Sequence, residues 1–366
     1  MTLKESSVRL ALRAASLGAA AALRLPDPVI RAIVGRPVQV EGARLSPTAQ
    51  LLIALERFVP RSEPLANPDM AAARRDYDIV SSVLLAGAAS DVRVHDTVVD
   101  GARGPLAARV YSPPGTSGPL PVLVFFHGGG FVLGSITSHD GVCRFLSRHG
   151  GVRVVSVEYS LAPEHPYPAG VDDAHAAFRY IVSHVERFGG AEGVVGVAGD
   201  SAGAALAAVV AQRCVDEATT KPAFNLMLYP AVDGMSQHRS RELFASGFFI
   251  DSDLLAWYRT CYSPDAERLF EPYASPLRAP DLRGLPPTCV VTAGFDPLRD
   301  EGVEYADRLR EAAVPVTHLH REGMVHGFAS FLACDKHARR AMRDAAAELR
   351  RMAAAAWSSN PLNHRS

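Results

Sequence analysis

The feature that most constrains this chain is a series of short, almost wholly apolar runs separated by segments of helical length. The runs are 121–126, 152–157, 194–198, 224–229 and 288–293, each rich in valine or other apolar residues. Strands covered by helices on both faces read this way, because neither face needs polar residues. Segments 171–188 and 202–217 lie between them and are long enough for crossover helices. The alternation implies a parallel sheet. Residues 91–99 alternate polar and apolar, and 106–111 follow before the turn Pro113-Pro114-Gly115. These two read as an antiparallel pair. With a last strand at 316–319, the expectation is an α/β fold with a mostly parallel sheet of eight strands, helices on both faces and a helical C-terminus over 338–357.

Two regions break the alternation. Residues 1–85 are rich in Ala and Arg, carry apolar residues at helical spacing over 51–58, and are interrupted by Pro26, Pro28, Pro47, Pro60, Pro64 and Pro68. No strand pattern precedes residue 91. Residues 233–262 hold Phe244, Phe248, Phe249, Ile250, Trp257 and Tyr258. Both regions are candidates for a helical cap over one end of the sheet, with 86–366 as the main domain. The aromatic cluster fits core packing and a substrate-facing wall equally well. The tail 358–366 is polar and reads as frayed.

Composition removes several classes of function. Lys and Arg number 38 against 39 Asp and Glu, a net charge of −1. A chain so balanced has no global field for nucleic acid or an anionic membrane. Five scattered cysteines, Cys143, Cys214, Cys261, Cys289 and Cys334, form no CxxC pair and suit neither a zinc site nor a disulfide framework. They suit a reducing, cytoplasmic compartment. No apolar stretch reaches the ~18 residues of a transmembrane helix. Residues 4–24 mimic a signal peptide, but Arg13 interrupts the apolar run. A helix lying on the protein is the preferred reading, with secretion or membrane association as the alternative.

Four segments carry chemistry. Gly199-Asp200-Ser201-Ala202-Gly203 joins a strand to a helix. At such a junction a tight turn exposes the serine hydroxyl, and the flanking glycines avoid clashes. His127-Gly128-Gly129-Gly130-Phe131 ends the strand at 121–126. Its glycines leave backbone N–H groups free to turn toward a developing oxyanion. A phosphate loop is disfavoured, since neither GxxxxGK[ST] nor GxGxxG occurs there. His326 lies in a loop after the last strand and is the candidate base. Asp296 follows the strand 288–293 and is the candidate partner of that base. Asp300 competes with it, but its ordinary role is helix capping. His318 and His320 fall within a strand, where at least one is expected to point into packing. Ser201, Asp296 and His326 each follow a predicted strand, and sites in open α/β sheets form at the carboxyl ends of strands.

The pieces HGGGF (127–131), YSLAPEHPYPA (159–169), GDSAG (199–203), GFDPLRDEG (294–302) and HGF (326–328) resemble, in order, the hormone-sensitive-lipase-like branch of the α/β-hydrolases, the bacterial family IV esterases. The resemblance implies an α/β-hydrolase fold with an N-terminal cap. It implies that Ser201 is the nucleophile, His326 the base and Asp296 its partner, with an oxyanion hole from the amides of Gly128, Gly129 and Ala202. It implies a carboxylesterase for short- to medium-chain acyl esters, needing no cofactor or metal, with a small-molecule ester as its partner. A homodimer is left open. One departure is Ser160, where the family usually carries arginine, and altered packing near Glu164 is the expected consequence. An amide, carbamate or lactone hydrolase on the same residues is the alternative. A non-catalytic receptor is disfavoured because His326 stands in an intact HGF motif.

Overall fold

The computed structural model describes residues 3–56 and 69–360. Its centre is one eight-stranded sheet. In chain order the elements begin with α1 (Leu3–Ala22), α2 (Asp27–Val34), β1 (Gln39–Val40), β2 (Ala43–Arg44), α3 (Pro47–Glu56) and α4 (Met70–Leu84). Then come β3 (Arg93–Gly101), β4 (Gly104–Ser112), β5 (Leu120–Phe126), α5 (Asp140–Gly150), β6 (Arg153–Val157), α6 (Ala169–Ser183), β7 (Gly190–Asp200) and α7 (Ala202–Asp216). The chain continues through β8 (Asn225–Leu228), α8 (Arg239–Leu243), α9 (Ser252–Tyr262), β9 (Thr288–Phe295), α10 (Arg299–Glu311), β10 (Val316–Val325) and α11 (Lys336–Ser359).

The sheet order is β10-β9-β8-β7-β5-β6-β4-β3. From β6 to β10 every neighbour is parallel, while β4 runs antiparallel to both β3 and β6. Alternate residues of one strand serve opposite layers. Leu123 and Phe125 of β5 join the core under α5 and α11. Val122, Val124 and Phe126 join the core under α6 and α7. Both faces are therefore dry, which is why these strands show no polar alternation.

The region before residue 91 departs from the expectation in one place. It contains a two-stranded hairpin, β1 with β2, turning through Glu41 and Gly42, both at positive φ (51° and 85°). Two-residue strands are too short to leave a period in sequence. Otherwise this region is helical, and α1 packs along α4 with Leu12, Ser16 and Ala20 buried at four-residue spacing. Pro60, Pro64 and Pro68 and the end of the 51–58 run lie outside the described residues. The polar tail is also shorter than expected, because α11 continues through Ser359. No helix among the described residues is long and apolar enough to cross a membrane.

Candidate active site

Four strands end at one edge of the sheet, and each is followed at once by a residue singled out above. His127 follows Phe126 of β5, Ser201 follows Asp200 of β7, Asp296 follows Phe295 of β9, and His326 follows Val325 of β10. The sheet order then brings three of them together. The Nδ1–H of His326 donates to Asp296 Oδ2 at 2.8 Å, and His326 Nε2 accepts from Ser201 Oγ at 2.9 Å. Asp296 Oδ1 accepts the N–H of Leu298 at 2.8 Å, which holds the carboxylate still. All three side chains are buried.

Ser201 occupies a strained turn, with φ 53° and ψ −119°. A non-glycine residue there costs about 1–3 kcal/mol, and its surroundings must hold it. They do: Ser201 N–H donates to Leu228 O at 2.9 Å, and Ser201 O accepts from Ala231 at 3.2 Å. The flanking glycines are sterically required. A Cβ on Gly199 would stand 2.2 Å from Gly203, and one on Gly203 would stand 2.0 Å from Phe126 O. Both obstacles are backbone atoms. Gly203→Ala is therefore expected to lose at least about 3 kcal/mol of stability or to fail to accumulate as soluble protein, overpacking being costly where nothing can yield. A urea midpoint equal to that of the wild type would refute the steric argument.

The glycine loop is arranged differently from the expectation. Gly128 has a single N–H, and it donates to Asp200 Oδ1 at 2.8 Å, deep below the surface. Gly128 is therefore not free to donate to a substrate. Gly129 and Gly130 follow it, and neither N–H has an acceptor among the described residues. Gly130 lines the cleft beside Ser201 and Ala202. Its φ is 63°, and a Cβ there would lie 2.3 Å from the Tyr258 ring, so only glycine lets α9 approach this closely.

Asp200, which the sequence marked only as part of a motif, is the hub beneath this loop. Besides Gly128 it accepts from Tyr229 Oη at 3.3 Å, and it forms an ion pair with His139 Nε2 at 3.2 Å, off the line of a straight hydrogen bond. Burial alone would lower the His139 pKa, but the Asp200 carboxylate outweighs it and the net shift is upward. Burial would raise the Asp200 pKa, but His139 and the Gly128 N–H outweigh it and the net shift is downward. His127 is the opposite case. It stacks on Tyr159 at 4.4 Å, and burial followed by the His139 charge pushes its pKa down to about 3. It is neutral and structural.

The other candidates settle elsewhere. His318 and His320 both hydrogen-bond Thr292 Oγ1, at 2.9 and 3.0 Å. Asp300 accepts the Ser240 N–H at 2.8 Å, so it tethers α8 rather than capping its own helix. Ser160 donates its N–H to Asp173 at 3.1 Å, and Glu164 is instead gripped by Arg74 of α4 at 2.6 and 3.0 Å. Arg74 also donates to the carbonyls of Val132 and Ala162, both at 2.9 Å. The four residues nearest the expectation of a buried thiol, Cys143, Cys214, Cys289 and Cys334, are buried, Cys261 is partly exposed, and all five are free. No cluster of metal-binding side chains occurs among the described residues.

The aromatic cluster divides. Phe244 and Phe248 pack on Phe295, and Phe249 on Phe331. They belong to the core side of the segment. Ile250, Leu255, Tyr258, Arg259 and Tyr262 line a narrow cleft that opens on Ser201, with about 70 Å³ of room for water-sized molecules. The last four recur at helical spacing on one face of α9.

Residues 123–330 match a family described as having an alpha/beta hydrolase fold. The chain is similar to the carboxylic ester hydrolase LipN of Mycobacterium tuberculosis, with 39% identity over 83% of this chain and 82% of that protein. Esterase LipI of the same organism is 40% identical over 66% of this chain and 76% of its own length. Among solved structures, an ester hydrolase from the metagenome of Lake Arreo, complexed with a bipyridine phosphonate derivative, superposes with a TM-score of 0.80 at 40% identity, covering 85% of this chain and 99% of that one. The hyperthermophilic esterase of Pyrobaculum calidifontis gives 0.77 at 38% identity, covering 84% and 99%.

Proposed function

Because the chain belongs to the α/β-hydrolase-fold family, in its hormone-sensitive-lipase-like branch, we propose that it is a carboxylesterase working through Ser201, His326 and Asp296. The observation that carries this reading is the unbroken hydrogen-bond chain from Ser201 Oγ through His326 to Asp296. Relatives and neighbours named as esterases support the substrate class.

Ser201 Oγ attacks the ester carbonyl while His326 Nε2 takes its proton. Asp296 holds the imidazole in the tautomer that leaves Nε2 free, and stabilises the imidazolium as it forms. The negative charge on the former carbonyl oxygen is met by the amides of Gly129, Gly130 and Ala202. Gly128 holds the loop through Asp200 instead. The Ala202 N–H opens α7, where the first turn leaves its donors unpaired and the helix dipole favours an anion. His326 then protonates the departing alcohol, and water releases the acid by the same route.

Substrates are short- to medium-chain acyl esters, since the cleft is narrow and closed on one side by α9. A dialkyl nitrophenyl phosphate tests the reading directly. One equivalent is expected to abolish p-nitrophenyl butyrate hydrolysis and to leave the phosphoryl group on the Ser201 peptide by mass spectrometry. Labelling elsewhere, or faster cleavage of emulsified long-chain triglyceride than of the soluble butyrate, would overturn it.

A further inference from the structure

The cleft that opens on Ser201 is not uniformly apolar. Against Ile250, Leu255 and Tyr258 it sets Arg241, Arg259 and Asp233. Two of these three charges are already matched. Asp233 is gripped by the Arg278 fork at 2.9 and 3.0 Å. Arg241 Nη2 donates to Glu301 Oε2 at 2.7 Å, and Glu301 is fully buried, accepting also from the N–H groups of Val232 and Asp233. Arg259 is left over. Among the described residues no carboxylate lies within ion-pair distance of it, and its one hydrogen bond is from Nη1 to Gly234 O at 3.4 Å. Beside it, Arg241 Nε is buried and has no acceptor. Burial, then the nearby Arg241 charge, pushes the Arg259 pKa below its ordinary value. The cleft is thus one negative charge short.

The side of the ester that meets this charge follows from the geometry. The leaving alcohol must stand by His326 Nε2 to be protonated. The cleft is lined by Ser201, Ala202 and Gly130 and not by His326. We therefore take it as the acyl side.

Building on the esterase reading, we propose that the enzyme takes esters whose acyl chain ends in a carboxylate, monoesters of aliphatic dicarboxylic acids, with Arg259 as the group that recognises that carboxylate. A planar guanidinium fork fits a carboxylate with two parallel hydrogen bonds. Arg241, held by Glu301, adds a second positive charge close to that fork. Isolated burial of a carboxylate is costly, so the preference depends on this pairing. The reaction itself is ordinary hydrolysis. The ester C–O bond breaks, water supplies the hydroxyl to the acyl carbon and a proton to the alkoxide, and the distal carboxylate is unchanged.

The test compares matched substrates by proton release at constant pH. Monomethyl succinate, glutarate and adipate are set against methyl butanoate, pentanoate and hexanoate. For at least one chain length the acid is expected to have the higher kcat/KM in the wild type. In Arg259→Gln the acid-to-neutral ratio is expected to fall about tenfold, chiefly through KM, with Arg259→Lys in between. A wild-type ratio at or below one for all three lengths, or a ratio unchanged in Arg259→Gln, overturns the proposal while neutral ester turnover leaves the esterase reading standing. If no ester is turned over, that reading has failed, and calorimetric titration with adipate decides the site. Binding weakened about tenfold in Arg259→Gln supports it, and no binding or equal binding overturns it. Circular dichroism of each variant guards against misfolding, and Arg259→Lys, which keeps the charge, remains informative where the glutamine variant does not fold.

Discussion

Ser201→Ala is expected to reduce p-nitrophenyl butyrate turnover by about 10⁶-fold, the scale seen when a serine nucleophile is removed from such a relay. The fold should survive. Alanine meets the same strain at φ 53° as serine does, and the backbone bonds to Leu228 and Ala231 are untouched. Initial rates, beside a urea transition for both proteins, measure the two effects separately. The relay also predicts non-additivity. His326→Ala alone should cost nearly as much as Ser201→Ala, and the double variant little more than either, because each residue is useless without the other. Turnover in Ser201→Ala within tenfold of the wild type would end the argument for this nucleophile.

Asp200→Ala is expected to produce the largest combined loss of stability and rate. It would take away the carboxylate paired with buried His139 and leave the Gly128 N–H without an acceptor. Breaking a buried ion pair from one side costs about 3–5 kcal/mol. The rate should fall by about 10²-fold, as for a lost oxyanion donor, because the glycine loop loses its anchor. Asp200→Asn keeps an oxygen for Gly128 and removes only the charge, so it separates the two effects. The stability gap between the wild type and this variant should depend on pH. The depressed Asp200 pKa contributes stability above about pH 3.9, lost as the pH falls through the folded value. The raised His139 pKa contributes stability that is complete below about pH 6.5 and is lost as the pH rises through its folded value. The gap should therefore be widest between about pH 4 and 6.5 and shrink in alkali, as thermal unfolding across that range would show. A gap that does not change with pH would mean that the pair carries no charge.

The sheet was legible in the sequence because strands covered on both faces must be apolar throughout, and this chain interrupts them only with helices and turns. Ser201 and Asp296 were legible because each lies just beyond such a strand, and His326 because it follows the last strand, although β10 runs on to Val325 and carries Thr317, His318, His320, Arg321 and Glu322. What was hidden depends on which way a group faces. Three successive glycines look alike in sequence, and only the position of Asp200 below the loop shows that the first amide is turned inward. Phe244, Phe248 and Phe249 are as apolar as any pocket wall, but their contacts with Phe295 and Phe331 put them in the core. Arg259 was passed over because an arginine one residue beyond an aromatic pair on a helix reads as a solvated face. Its signal was the recurrence of Leu255, Tyr258, Arg259 and Tyr262 on a single side of α9. The hairpin at 39–44 left no trace because two residues cannot show a period.

The region before β3 is fastened to parts of the chain made much later. Thr48 Oγ1 donates to Asp335 at 2.8 Å, Asp27 pairs with Lys336 at 2.8 Å, and Ser46 N–H donates to Gly323 O at 2.9 Å. At roughly 5–20 residues per second, a ribosome takes about 15–60 s to travel from Asp27 to Lys336. Through that interval α2 and α3 have been synthesised but lack their final partners, and the apolar faces that later cover the sheet stand open. The bonds that tie α2 and α3 to the end of the chain thus close last in the cell, after the sheet has been made. The burden on chaperones should fall on this leading stretch rather than on the sheet.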